Sequence, residues 1–114
     1  MKVLVCGGRN YTNKQKVFDT LDRIHNINKI NCIIHGKARG ADKLGEEWAK
    51  EKGISIKSFP ADWKTLGKIA GAIRNEKMAN ENPDICVAFK GGSETKDMKE
   101  KCEKKGIKII SIND

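Results

Sequence analysis

Short apolar runs alternate with longer amphipathic stretches along the whole chain. Val3-Leu4-Val5-Cys6, within Lys2–Gly7, is too short for a helix and is ended by Gly7-Gly8, so it predicts a buried strand. Beyond it, Val17, Phe18, Leu21, Ile24 and Ile27 recur at spacings that keep one helical face apolar. Thr12, with Gln15 three residues on, has the form of a capping box and starts that helix near Lys14. Cys32-Ile33-Ile34 is a second strand running into His35-Gly36. Ala41–Lys52 reads as the second helix, with Ala41, Leu44, Trp48 and Ala49 on one face and Gly53 as its stop. Ile54–Phe59 alternates, the pattern of an edge strand.

Pro60-Ala61-Asp62-Trp63 reads as an irregular link. The third helix covers Lys68–Glu81, is rich in small residues at Ala70-Gly71-Ala72, and is closed by Asn82-Pro83. Asp84–Phe89 is the most apolar strand and so the predicted centre of a sheet. Glu94–Lys105 is the fourth helix, with Met98 and Cys102 inward and Gly106 as its stop, and Ile107–Ile112 is a fifth strand. Five strands alternating with four helices predict an α/β fold: a single Rossmann-like three-layer domain over residues 1–114, its parallel sheet covered on both faces.

Composition narrows the setting. The longest unbroken apolar run, Ile85 to Phe89, is five residues, far short of a bilayer span. The amino-terminal apolar run meets glycine too soon to be a signal peptide, so a cytoplasmic location without membrane attachment is expected. Cys6, Cys32, Cys86 and Cys102 are scattered, without a Cys-x-x-Cys pair or a histidine at zinc spacing, so free thiols and no metal are expected. The formal charge is +8, from 23 basic and 15 acidic residues, but lysine outnumbers arginine 19 to 4 and is interleaved with acids, as between Lys96 and Lys105. A solvated mixed-charge face is the plainer reading of those lysines, with a general bias toward anions. The arginines tell more, because Arg9, Arg39 and Arg74 lie beside glycines or at a strand-to-helix junction.

In open parallel sheets, ligands bind at the carboxyl ends of the strands, where strand order reverses. Strand one ends in Gly7-Gly8-Arg9-Asn10, strand two in His35-Gly36-Lys37-Ala38-Arg39-Gly40-Ala41-Asp42, and strand four in Lys90-Gly91-Gly92-Ser93-Glu94-Thr95. Glycine lets backbone approach a ligand, and a helix N-terminus offers unpaired N–H groups to an anion. Three such turns on one edge, with Arg9, Lys37 and Arg39 among them, point to a phosphate-bearing ligand; plain turn chemistry is the alternative. Neither the Gly-x-Gly-x-x-Gly dinucleotide fingerprint nor a Walker Gly-Lys-Ser/Thr is present, which disfavours an ordinary dehydrogenase or a P-loop NTPase. No bound cofactor is implied.

Single residues carry two readings each. Asp42 either caps the second helix or binds ribose hydroxyls. His35, ending a buried strand, is a general base or a structural histidine. Asp62 and Trp63 lie on the same edge, where Trp63 offers a stacking face for a base. Trp48 is spaced as helix core, and Tyr11 either covers a ligand or packs.

Five segments, in order, carry a family resemblance: Val-Cys-Gly-Gly-Arg-Asn-Tyr-Thr at 5–12, His-Gly-Lys-Ala-Arg-Gly-Ala-Asp at 35–42, Pro-Ala-Asp-Trp at 60–63, Ala-Gly-Ala-Ile-Arg-Asn-Glu-Lys-Met at 70–78 and Ala-Phe-Lys-Gly-Gly-Ser-Glu-Thr at 88–95. Together they resemble the small YspA-type members of the SLOG (Smf/DprA and Lonely Guy) Rossmann-like superfamily. The resemblance implies a nucleotide or nucleotide-derived ligand across the carboxyl edge, with Arg74 and Asn75 near its phosphate or ribose. It also implies a homodimer, and some relatives act in conflict between bacteria and phages. A surface Arg74 paired with Glu76 or Glu81 is the plainer alternative.

Two departures stand out. Relatives carry Gly-Gly-x-Gly-Thr after strand four, where this chain has Gly91-Gly92-Ser93-Glu94-Thr95. Glu94 either complements the helix dipole or points inward, where it would repel phosphate or accept a ribose hydroxyl. The glutamate that assists N-glycosidic cleavage in Lonely Guy-type enzymes is matched by Met98, which cannot act as acid or base. The expectation is therefore a module that senses or sequesters a ligand such as an ADP-ribose-type or cyclic signalling molecule. A phosphoribohydrolase using Glu94, Asp97, Asp42 or His35 stays open, as does DprA-like nucleic-acid binding, although few aromatics are available for stacking.

Overall fold

The computed structural model describes all 114 residues. Five parallel strands, β1 (Lys2–Cys6), β2 (Cys32–His35), β3 (Ser55–Ser58), β4 (Ile85–Ala88) and β5 (Lys108–Ser111), form one sheet in the order β3-β2-β1-β4-β5. The helices are α1 (Lys14–Ile27), α2 (Ala41–Lys52), α3 (Trp63–Leu66), α4 (Ala70–Ala79) and α5 (Ser93–Lys104), with a 3-10 turn at Gly67–Ile69 between α3 and α4. The expected Rossmann-like α/β architecture is therefore present. The edge position of β3 agrees with its alternating pattern.

β1 explains the layering. Its Val3 and Val5 enter one core with Val17, Leu21, Trp48 and Phe89, beneath α1 and α2. Leu4 and Cys6 enter the other with Met78, Met98 and Cys102, beneath α4 and α5. Burying each such aliphatic side chain contributes roughly 1.5–3 kcal/mol, so a strand covered on both faces must be apolar throughout. That also locates one misreading: β1, not β4, is the central strand. Both are interior, and interior strands look alike in hydrophobicity whichever of them lies at the middle.

Other differences are local. Because α1 begins at Lys14, residue 13 is its cap, and Asn13 accepts from the Lys16 amide at 3.1 Å while Gln15 donates to Asp19 instead. The Thr12–Gln15 capping box does not form. Ile27, expected on the inner face of α1, is 85% exposed; the chain turns extended at Asn28, and Ile30 takes the buried place. The link at residues 60–63 is partly ordered as α3, because Asp62 caps it by accepting from the Thr65 amide at 3.2 Å. All four cysteines are free and buried. No helix is long and apolar enough to cross a membrane.

The three loops at the carboxyl edge are fastened at Gly8. Its amide donates to the Lys90 carbonyl at 2.9 Å, and its carbonyl accepts from Tyr11 at 3.2 Å and Ala41 at 3.3 Å. Gly40 sits against it at φ +76°, where a Cβ would collide with the Gly8 carbonyl and the Arg9 backbone. Gly53, at φ +68°, has open space around it. Gly53→Ala should therefore cost only the left-handed strain, about 1–2 kcal/mol. Gly40→Ala combines a backbone collision with a conformation, φ +76° and ψ −127°, that lies outside the left-handed well, so its thermal denaturation midpoint should fall well below that of Gly53→Ala. Equal midpoints would mean that the loop junction yields freely.

Candidate functional site

Strand order reverses at β1, with β2 on one side and β4 on the other, so the crevice between the β1 and β4 loops is the switch point of the sheet. A cleft of about 630 Å³ lies there, lined by residues 7–11 and 90–95. Helix α5 begins in its wall, with Gly92 as a cap that offers no side chain, so the first-turn amides face the cleft without a side-chain acceptor. A second depression of about 260 Å³ adjoins it, lined by Gly36, Lys37, Ala38, Arg39, Pro60, Ala61, Trp63 and Arg74. Arg9 lines both. Its guanidinium lies 5.2 Å from the Trp63 ring centroid, and Trp63 is 43% exposed.

Behind the cleft lies a polar network. Arg74, only 8% exposed, donates from Nη1 to the Gly36 carbonyl at 2.8 Å, from Nε to Asn75 Oδ1 at 2.9 Å, and from Nη2 to Glu94 Oε1 at 3.1 Å. Asn75 donates in turn to the Glu94 carbonyl and to Asp97 Oδ2, each at 3.0 Å. Glu94 thus points inward. Its second oxygen accepts from Arg9 at 3.3 Å, and its carboxylate fills the space left by Gly71, where a Cβ would meet it. The small residues of α4 make room for Glu94, where the sequence suggested a ligand. Arg74 pairs with neither Glu76 nor Glu81.

Asp42 and His35 hold the β2–α2 loop from below. Gly40 caps α2 without a side chain, and Asp42 turns back to accept from the Gly36 amide at 2.9 Å and the Ala38 amide at 3.4 Å. Burial pushes its carboxyl up to about 6, against the lowering effect of the Ala38 amide, Arg74 and the Gly36 amide. His35 accepts at Nδ1 from the Lys37 amide at 2.9 Å, which helps hold Lys37 at φ +55°. Its Nε2 is buried with no hydrogen-bond partner, 4.0 Å from Glu46. Burial lowers the pKa of His35, with Glu46 opposing. Neither side chain is placed to attack a ligand.

The candidate residues therefore separate. Gly7, Gly8, Arg9, Asn10, Gly91, Gly92, Ser93, Glu94 and Thr95 line the main cleft; Gly36, Arg39, Trp63 and Arg74 line the adjoining depression. Asp42 and Asn75 are buried supports, Gly40 is a loop-packing residue, and Asp62 is a helix cap. Asp97 is held by Lys101 and Asn75, whose hydrogen bonds outweigh burial and keep its carboxyl below the usual range. Met98 is buried in the core. Tyr11 packs on Phe89 and donates to Asp114 at 2.8 Å. Among the residues the sequence passed over, Lys90 and Pro60 line the two hollows, and Gly71 is the missed partner of Glu94. The glutamate standing at a glycine position was the available signal for it.

Residues 1–65 match the family described as YAcAr, the YspA, cpYpsA-related SLOG family. The chain is also 33% identical over 121 aligned residues to the Gene 61 protein of Mycobacterium phage D29, an alignment covering 99% of this chain and 97% of that protein. The chain belongs to the YspA, cpYpsA-related SLOG family.

The two buried groups under the loop make opposite contributions to stability. His35 is harder to protonate folded than unfolded, so its contribution is full above about pH 6.5 and is lost as pH falls toward its lowered folded value. Asp42 is easier to protonate folded, so stability rises as pH falls from about 6 toward 4, by on the order of 2–3 kcal/mol. Thermal midpoints measured from pH 7.5 to 4.5 should therefore fall less steeply for His35→Asn than for the parent protein. They should fall more steeply for Asp42→Asn, whose amide oxygen still accepts from the loop. Parallel curves for all three proteins would refute this assignment.

Proposed function

We propose that the cleft binds a nucleotide or nucleotide-derived ligand, of which ADP-ribose-type and cyclic signalling molecules are examples, and senses or sequesters it without chemistry. The ligand's phosphate would lie on the first-turn amides of α5, with Arg9 as its mobile cation and Trp63 as the stacking face for a base. Membership of the SLOG family supports a nucleotide-related role. The observation that carries the location is Gly92. Gly7, Gly8, Gly40 and Gly91 all press on neighbouring loop atoms, so packing alone accounts for them. A Cβ on Gly92 would meet nothing within 4 Å, so packing does not call for glycine there. Room at the open end of a helix wall is what an anion bound to those amides requires.

The acids near the cleft favour binding over N-glycosidic cleavage. Glu94 is held by two arginines, Asp97 by Lys101 and Asn75, and Met98 stands at the position that would match the glutamate of the cleaving enzymes. Both acids thus already have their carboxylate oxygens engaged by neighbouring side chains.

Thermal shift against AMP, ADP-ribose, NAD, cyclic nucleotides and cyclic ADP-ribose isomers tests the proposal. A ligand at about 100 times its Kd adds ~2.7 kcal/mol, a rise of several degrees. Gly92→Ala should cost no more than about 1 kcal/mol as a changed cap, yet lose most of the ligand-induced shift. A full shift in Gly92→Ala, or none for any nucleotide in the parent protein, would overturn the reading. Free base appearing in the same mixtures would make the protein a hydrolase. A nucleic-acid affinity falling steeply with salt would indicate the DprA-like role.

A further inference from the structure

The two arginines that grip Glu94 do so unequally. Arg74 is buried and has donors engaged with Gly36, Asn75 and Glu94, so it cannot turn toward a ligand without breaking the network. Arg9 is half-exposed, and its bond to Glu94 is at 3.3 Å. Exposed pairs of that kind contribute little, so Arg9 can leave for a phosphate at small cost. Glu94 then stays, held by Arg74 and seated against Gly71. Its carboxylate sets a fixed negative charge in the wall of the cleft, in the same first turn of α5 as the amides that would hold an anion.

We infer that Glu94 is a specificity-determining residue: it admits one phosphoryl group at the outer part of the α5 N-terminus and requires the neighbouring ligand group to be a hydrogen-bond donor. A sugar hydroxyl meets that requirement, because each carboxylate oxygen has acceptor capacity beyond its single arginine bond. A second phosphoryl group at the same place sets like charges together and offers the carboxylate no donor. The ligand class is therefore a phosphate monoester of a sugar with free hydroxyls, in preference to a pyrophosphate lying along the helix start. The inference rests on the binding reading above and narrows it.

Ribose 5-phosphate and inorganic pyrophosphate separate the two cases without a base to confuse them. Amide chemical shifts of Gly92, Ser93 and Thr95, followed by NMR titration, report even weak binding at this point of the cleft. The parent protein should prefer ribose 5-phosphate by about tenfold or more. Glu94→Gln keeps an oxygen for Arg74, so the fold should persist, and it should lose or reverse that preference, chiefly through tighter pyrophosphate binding. Arg9→Gln should weaken both probes while leaving the preference in place. An unchanged preference in Glu94→Gln, with both probes binding, overturns the role of Glu94 and leaves the binding reading standing. Failure of both probes to shift these amides in any of the three proteins overturns the phosphate site itself.

Discussion

A guanidinium buried beneath the carboxyl edge of the sheet imposes conditions on everything around it. Arg74 is nearly inaccessible, so its charge must be balanced and its donors filled where they stand. Gly36 supplies a carbonyl from the β2–α2 loop, Asn75 an amide oxygen from α4 itself, and Glu94 a carboxylate from α5. Three separate segments are thereby drawn to one point. Removing one partner of a buried pair typically costs about 3–5 kcal/mol, because the other charge is left uncompensated. The geometry of the cleft wall therefore follows from the needs of a residue that contributes little surface to the cleft.

The glycines answer to the same logic of close approach. A ligand-binding edge and a tightly packed junction of loops both call for glycine, and sequence alone cannot separate them. Here Gly8 bonds to both neighbouring loops, Gly40 presses on Gly8, and Gly91 presses on Thr95 and the Gly8 amide. Those contacts would exist in a protein that bound nothing. Only after they are set aside does Gly92 stand out as a glycine with open space and no packing duty. The junction also bears on the proposed function, because a helix start that binds an anion would have to be held in place before the anion arrives.

The architecture was readable because its signals are local. The first, second and fourth strands are short apolar runs followed by glycine, each long helix has a periodic face, and β3 shows the alternating pattern of an edge. The misreadings concern features settled at long range or by a single residue of register. β1 and β4 are alike in apolarity, so their order depends on how the crossovers run. The cap of α1 moved from Thr12 to Asn13, whose side chain both accepts from Lys16 and donates to Asp114, distant in sequence. The orientation of Glu94 depends on Arg9, on Arg74 and on the missing side chain of Gly71. No window around residue 94 contains that information, although the pattern of small residues in α4 held half of it.

What a site can do also depends on which of its charges are free to change partners. Acid–base chemistry needs a group whose proton affinity lies near the working pH and which touches the ligand. Asp42 comes closest to the first condition, at about 6, but its oxygen is spent on the Gly36 and Ala38 amides beneath the loop. Glu94 lines the cleft, yet each of its carboxylate oxygens is already engaged by an arginine. Arg9, poised over Trp63 between the two hollows, can exchange partners cheaply. A cleft whose acids are fixed and whose exposed arginine is loosely held suits the proposed recognition of an anion, whose selectivity would then rest on the negative charge that remains when the arginine moves.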